Sequence, residues 1–177
     1  MKQALVTLVG LFIMGHAMSA EQKTLQVVPQ VDLARYLGKW YEIATIPMRF
    51  QKGCTGVTAT YTLRPDGDIT VLNECRKDSL AGKYKSVTGK AWVVDTATNA
   101  KLKVRFFWPF SGDYWVIELD STDYQYAVVG HPNRKYLWIL SRRPQMDGAR
   151  YEDLLARIRD VHGYDLSGIK KTPQPAE

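Results

Sequence analysis

Few side chains in this sequence could carry covalent chemistry. The cysteines are Cys54 and Cys75, and the histidines are His16, His131 and His162. There is no Gly-x-Ser-x-Gly elbow, no metal-spaced histidine pair and no glycine-rich phosphate loop. A Cys54 thiol is therefore the only plausible nucleophile. His131 and His162 are expected in a turn and near a helix end, with His16 in the leading segment, so no metal or cofactor is implied. An enzyme reading stands or falls with a free Cys54 thiol.

The first twenty residues argue against that thiol. Met1-Lys2, the apolar run Ala4 to Met14 and the small residues Ala17-Met18-Ser19-Ala20 have the layout of a secretory signal over residues 1–20. The apolar run is too short and too weakly flanked for a good membrane span. Residues 21–177 are therefore expected as one exported domain, soluble in the periplasm. Export places Cys54 and Cys75 in an oxidising compartment, where an even count favours a disulfide. A loop of this size, once closed, contributes about 3 kcal/mol in the chain-entropy picture. Composition is ordinary for a globular domain, at 45% hydrophobic and 24% charged. The net charge of +6 comes without a basic motif, so nucleic acid is not an expected partner.

The elements that must position these residues show in the patterning. Alternating runs near 39–46, 55–64, 68–75, 84–94, 100–108, 113–120, 124–130 and 135–141 predict eight short strands. Turn residues separate them, among them Pro65-Asp66-Gly67-Asp68, Ser111-Gly112 and Gly130-His131-Pro132-Asn133. After Pro144 the period becomes helical through Tyr151, Leu154, Leu155 and Ile158, with Asp147 as N-cap and Gly163 past the end. Short strands at this spacing mark an all-β antiparallel barrel or sandwich, with one helix to pack on its wall.

Several segments carry a family resemblance. Gly38-Lys39-Trp40-Tyr41-Glu42 resembles the first signature of the lipocalins, in which a tryptophan closes the barrel floor. Leu119-Asp120 with Tyr124-Gln125-Tyr126-Ala127-Val128-Val129 resembles the middle signature, and Leu137-Trp138-Ile139-Leu140-Ser141-Arg142 the last strand with its arginine. Tyr61-Thr62-Leu63-Arg64-Pro65-Asp66-Gly67 and Lys171-Thr172-Pro173-Gln174 are similar to the branch that holds bacterial, plant and apolipoprotein D members. The resemblance implies an eight-stranded up-and-down β-barrel, a lipocalin calyx. Many bacterial relatives carry a lipid-modified cysteine at the signal cleavage point, but no cysteine precedes Cys54 here. Trp40 and Arg142 meet at the closed end, where the guanidinium is expected to stack on the indole.

Strict alternation predicts the lumen. The charges of Lys101, Lys103 and Arg105 must face water, so Leu102, Val104 and Phe106 face inward. The same rule puts Glu42 and Ala44 inside on the first strand, Val57, Ala59 and Tyr61 on the second, and Ile69, Val71 and Asn73 on the third. Val87, Gly89 and Ala91 follow on the fourth. Tyr114, Val116 and Glu118, then Ala127 and Val129, then Tyr136, Trp138 and Leu140 complete the wall. So many small residues predict an underfilled barrel with an apolar cavity. The inward carboxyls are expected to be protonated or partly hydrated, held by tyrosine hydroxyls.

Such a cavity suits a hydrophobic or amphiphilic lipid. A sixteen-carbon acyl chain gains roughly 12 kcal/mol on burial, before association costs of about 4 to 15 kcal/mol. Fatty acids or lysophospholipids of the bacterial envelope are the ligand class the resemblance implies, with membrane maintenance as the role. A membrane surface is a candidate second partner, and the protein is expected as a monomer or homodimer. The competing reading is a lipocalin-fold enzyme that acts on its bound lipid through Cys54. A siderophore carrier would want cationic side chains inside, and the inward set contains none.

Overall fold

The computed structural model describes residues 24–176, so the signal read from residues 1–20 lies outside the described residues. Eight antiparallel strands follow in order: β1 (Gly38–Ile46), β2 (Cys54–Leu63), β3 (Ile69–Lys77), β4 (Tyr84–Val93), β5 (Lys101–Phe107), β6 (Phe110–Leu119), β7 (Tyr126–Gly130) and β8 (Leu137–Ser141). Each pairs with the next, and β1 pairs with both β8 and β2, which closes the barrel. The up-and-down order sends the loops after β1, β3, β5 and β7 to one end, the mouth. The start of β1 and the end of β8 lie at the other.

Among the described residues, two α-helices flank the barrel. The short α1 (Leu33–Tyr36) precedes β1, and its N-cap Asp32 accepts from the backbone N–H groups of Ala34 and Arg35. The longer α2 (Gly148–Asp160) is capped by Asp147, which accepts from the N–H of Arg150 at 2.9 Å. Its buried face, Tyr151, Leu154 and Ile158, packs on Ile117, Val128, Leu137 and Ile139, the outward residues of β6, β7 and β8. This is the amphipathic helix that the period change after Pro144 predicts.

The register shifts at four places: on β2 against β3 between Thr55 and Thr58, on β5 against β6 between Val104 and Phe107, and at two places under α2 that change the inward set. On β1 the register against β8 shifts between Glu42 and Ala44, and on β6 the register against β7 shifts between Val116 and Glu118. Each is a bulge that points two successive residues to the same face. Ile43 with Ala44, and Ile117 with Glu118, therefore face outward beneath α2, and the inward set resumes at Thr45 and Leu119. Ala44 and Glu118, expected in the lumen, are corrected to the outer wall. The β5–β6 hairpin also turns earlier than the expected Ser111-Gly112. Phe107 pairs with Phe110, so Trp108-Pro109 forms the tip and Ser111 belongs to β6.

The barrel has a seam. β1 and β2 pair directly only from Gly38 to Tyr41 against Thr58 to Tyr61, and above that they part. The C-terminal segment fills the gap. β9 (Lys170–Lys171) pairs with Ala44 and Thr45 of β1, and the N–H of Gly56 on β2 donates to the carbonyl of Pro173 at 2.7 Å. The Gln174 amide then donates one hydrogen bond to the carbonyl of Glu42 at 2.9 Å and one to that of Val57 at 2.8 Å. A single side chain thus bridges the strands where the ladder is interrupted. Gln174→Ala should leave both carbonyls short of a partner, at a cost of about 1–3 kcal/mol. Calorimetry should show a fall in Tm of about 2–4 °C for each kcal/mol, and an unchanged Tm would contradict the bridge.

Candidate ligand-binding site

The closed end is built around one cation. Arg142, just past β8, lays its guanidinium over the fully buried Trp40 indole, 3.7 Å from the ring centre. It donates to the carbonyls of Arg35 at 2.7 Å, Lys39 at 2.9 Å and Leu37 at 3.0 Å, with longer bonds to those of Tyr36 and Tyr124. These include carbonyls that the last turn of α1 leaves without helical partners, where a cation is also favoured by the helix dipole. The Trp40 N–H donates to the Tyr36 carbonyl at 2.8 Å. Gly38 permits the approach: its φ of +92° disfavours a side chain, and a Cβ there would lie 3.5 Å from an Arg142 nitrogen.

Three tyrosines lie above this floor. Tyr36 of α1, Tyr61 of β2 and Tyr114 of β6 bring their hydroxyls together, with Tyr114 at 2.7 Å from Tyr36 and 2.9 Å from Tyr61. Burial raises all three phenols, Tyr61 to about 12 and the others well above their ordinary value, so each keeps its proton. The hydroxyls satisfy one another rather than the inward carboxyls, which corrects the expectation that tyrosines hold the latter.

The wall then grades from filled to accessible. Val71, Ala91, Val116, Ala127, Val129 and Leu140 are buried in one interior cluster with Trp40 and Tyr61. Space left by Gly89 is taken by the Phe106 ring, which a Cβ at Gly89 would meet at 2.6 Å, so the lower wall is fuller than its small residues suggest. From the floor residue Trp40 the inward row runs through Ala59, Asn73 and Val87, each paired with the next. All three are only half-buried, as are the inward Val104, Phe106, Tyr114 and Trp138. Val57 is buried beside the seam, where its carbonyl accepts from Gln174. Tyr136 lies one residue before β8 and outside the interior cluster, its ring edge-on to His131.

The carboxyls have separate surroundings. Glu42 is buried, and it accepts from the Gln51 amide at 2.9 Å and the Thr172 hydroxyl at 2.5 Å. Gln51 belongs to the 3-10 turn Arg49–Gln51 at the mouth and also accepts from the Trp138 indole at 3.3 Å. Glu42 thus ties the mouth loop to the C-terminal seam. On the outer wall Glu118 meets His162 Nε2 at 2.7 Å and Arg157 at 2.8 Å. Burial alone would raise the Glu118 carboxyl, but its bonds to His162 and Arg157 hold it below its ordinary value.

Cys54 and Cys75 form a disulfide at the mouth ends of β2 and β3, so the nucleophile that the enzyme reading needs is consumed. No group of three or more His, Cys, Asp or Glu residues suited to a metal occurs among the described residues. Sequence reasoning gave no role to Tyr36 and Gln51, and saw Thr172 and Gln174 only as part of a family resemblance; they lie in a four-residue helix, a one-turn helix and an irregular tail. None of these leaves a periodic signal. Asp32, the N-cap before Leu33, is the kind of residue that could mark the start of α1 in the sequence.

Comparison with known proteins agrees with this geometry. The lipocalin-like domain family model matches residues 31–174. The chain is 45% identical over 163 residues to temperature-induced lipocalin-1 of Arabidopsis thaliana, covering 87% of this chain and 85% of that one. It is 44% identical over 149 residues to the outer membrane lipoprotein Blc of Escherichia coli K12, covering 84% and 82%. Insecticyanin from the tobacco hornworm Manduca sexta has the same fold, with a TM-score of 0.67 at 22% identity over 86% of each chain.

Burial raises the Glu42 carboxyl above its ordinary value of 4.5, outweighing the hydrogen bonds from Thr172 and Gln51. The folded state therefore holds this proton more tightly than the unfolded chain does. Its contribution is present below the ordinary carboxyl range and is lost as pH climbs toward the raised value, by about 1.4 kcal/mol for each unit of elevation. Urea unfolding across pH should show Glu42→Gln gaining on the native protein as pH rises through that window. A gap between the two proteins that stays constant with pH would contradict the assignment.

Proposed function

The chain belongs to the lipocalin family, and from that premise we propose that it binds and carries fatty acids or lysophospholipids in the bacterial cell envelope. The observation that carries this reading is the half-buried inward row Ala59, Asn73 and Val87 above a floor sealed by Trp40 and Arg142. An acyl tail enters from the mouth and descends along the apolar wall. Both cysteines of the sequence are engaged in the disulfide, which ties the mouth ends of β2 and β3. The relatives named as outer membrane lipoproteins support the envelope as its place of work.

The mouth favours an anionic headgroup. Arg49, Lys52, Lys83 and Lys135 are exposed on its loops, and Arg76 lies over the Tyr84 ring. Lys77 and Arg134 are held by loop carbonyls, donating to Lys52 and His162 at 2.6 Å. A carboxylate or phosphate at this rim keeps its hydration while the tail is buried. Palmitate should therefore bind more tightly than hexadecanol at low ionic strength, and the margin should shrink as salt screens exposed charges. Equal affinities at both ionic strengths would remove the cationic rim from the account.

A second surface at the same end supports contact with membranes. At the β5–β6 tip Phe107, Trp108 and Phe110 are 68%, 82% and 78% exposed, an apolar cluster that water does not favour. Aromatic rings beside cationic loops suit the interface of an anionic bilayer. Replacing Phe107 and Trp108 with serine should abolish co-sedimentation with anionic phospholipid vesicles and leave palmitate affinity unchanged. Undiminished co-sedimentation would count against this surface.

A further inference from the structure

β2 and β6 stand four places apart in a barrel of eight strands, so they face each other across the lumen. Tyr61 and Tyr114 reach from these opposite walls and touch through their hydroxyls at 2.9 Å. That contact lies near the barrel axis, and Tyr36 joins it from the floor helix at 2.7 Å. The three phenols form a crossbar between the closed end and the space above. Tyr36 and Tyr61 are buried, whereas Tyr114 is only half-buried.

The proton count of this crossbar does not balance. Three hydroxyls carry three donor protons, but they make two contacts, and each contact uses one proton. Among the described residues no further side chain or backbone group bonds to any of the three hydroxyls. One O–H therefore has no acceptor among the described residues, whichever way the chain of bonds runs. Tyr114 sits in the middle, so the surplus can pass to either end by rotation of hydroxyl groups alone. A purely hydrocarbon tail descending to this point would bury that donor without a partner, which is unfavourable.

We propose that the crossbar is a hydrogen-bonding subsite at the closed end of the calyx, which takes a neutral oxygen at the buried terminus of a long-chain ligand. A hydroxyl, ketone or ester carbonyl fits. A single phenolic donor satisfies one such oxygen, whereas a carboxylate stripped of water needs several donors. The inference rests on the calyx reading above and adds a second recognition point to it. The ligand class becomes an amphiphile with its charged head at the mouth and an oxygenated tail end at the floor.

The test compares palmitate with ω-hydroxyhexadecanoate on the native protein and on the variant carrying Tyr36→Phe, Tyr61→Phe and Tyr114→Phe. These changes are nearly isosteric and remove donors and acceptors together, so the fold should tolerate them. The native protein should prefer the hydroxylated ligand relative to the variant by about tenfold, the factor that corresponds to about 1.4 kcal/mol. Tyr114→Phe alone removes the shared central hydroxyl and leaves two donors without each other, so it should keep the preference. An identical ratio of affinities in native and triple-variant proteins would overturn the subsite. Absence of palmitate binding to the native protein would instead overturn the calyx reading, so the two failures are distinguishable. One measurement needs no variant: a hexadecanoate bearing a ketone next to its terminal methyl, bound to the native protein, should show a carbonyl stretch lowered by hydrogen bonding. A stretch at the hydrocarbon-solvent frequency would overturn the subsite.

Discussion

The Arg142 guanidinium is the contact on which the barrel's lower end depends. It joins three pieces of chain at one point: the last turn of α1, the start of β1 and the end of β8. Its planar fork donates to several carbonyls at once while its face rests on Trp40, a combination that a lysine ammonium could not supply. Burial pulls its pKa down from 12.5, a sign that the site is partly dry, but the charge is needed to satisfy carbonyls that would otherwise be orphaned. With the floor fixed, Tyr36 is held beneath the lumen, and the tyrosine crossbar has its third member.

The upper end is organised by different means. The disulfide ties β2 to β3 at the rim, and the C-terminal segment fills the gap between β1 and β2. Glu42 connects that segment to the mouth turn through Thr172 and Gln51. A change in the mouth loop is therefore coupled to the seam through one buried carboxyl. The polar groups sit mainly at the two ends and along the seam, and Asn73 is the exception in an otherwise apolar mid-lumen row, a distribution that suits an amphiphile.

Much of this was legible in the sequence, for identifiable reasons. The strands, α2 with its Asp147 cap, the disulfide and the meeting of Trp40 with Arg142 follow from patterning, the even cysteine count, chain order and the family resemblance. Period-two reasoning then placed Ala59, Val71, Asn73, Ala91, Val116 and Trp138 on the face where the strand register puts them. It failed for Ala44 and Glu118 because a bulge changes the parity of a strand without any compositional mark. Both bulges lie under α2, where two successive outward residues widen the ledge on which the helix packs. The Glu118 pairing with Arg157 and His162 was invisible for a second reason, since its partners are about forty residues away on another element. The roles of Tyr36 and Gln174 escaped because short helices and irregular tails carry no period.

The central claim is that the half-buried row at Ala59 lines a space that acyl chains occupy. Ala59→Trp places an indole in that space, at a cost in stability of about 1–3 kcal/mol if the site is fully packed and less if it is open. Titration of a fluorescent fatty acid into this variant, with folding checked by circular dichroism, tests the claim directly. The account predicts a folded barrel whose affinity falls by about tenfold or more, a loss of about 1.4 kcal/mol or greater. A folded variant that binds the probe as tightly as the native protein would contradict it.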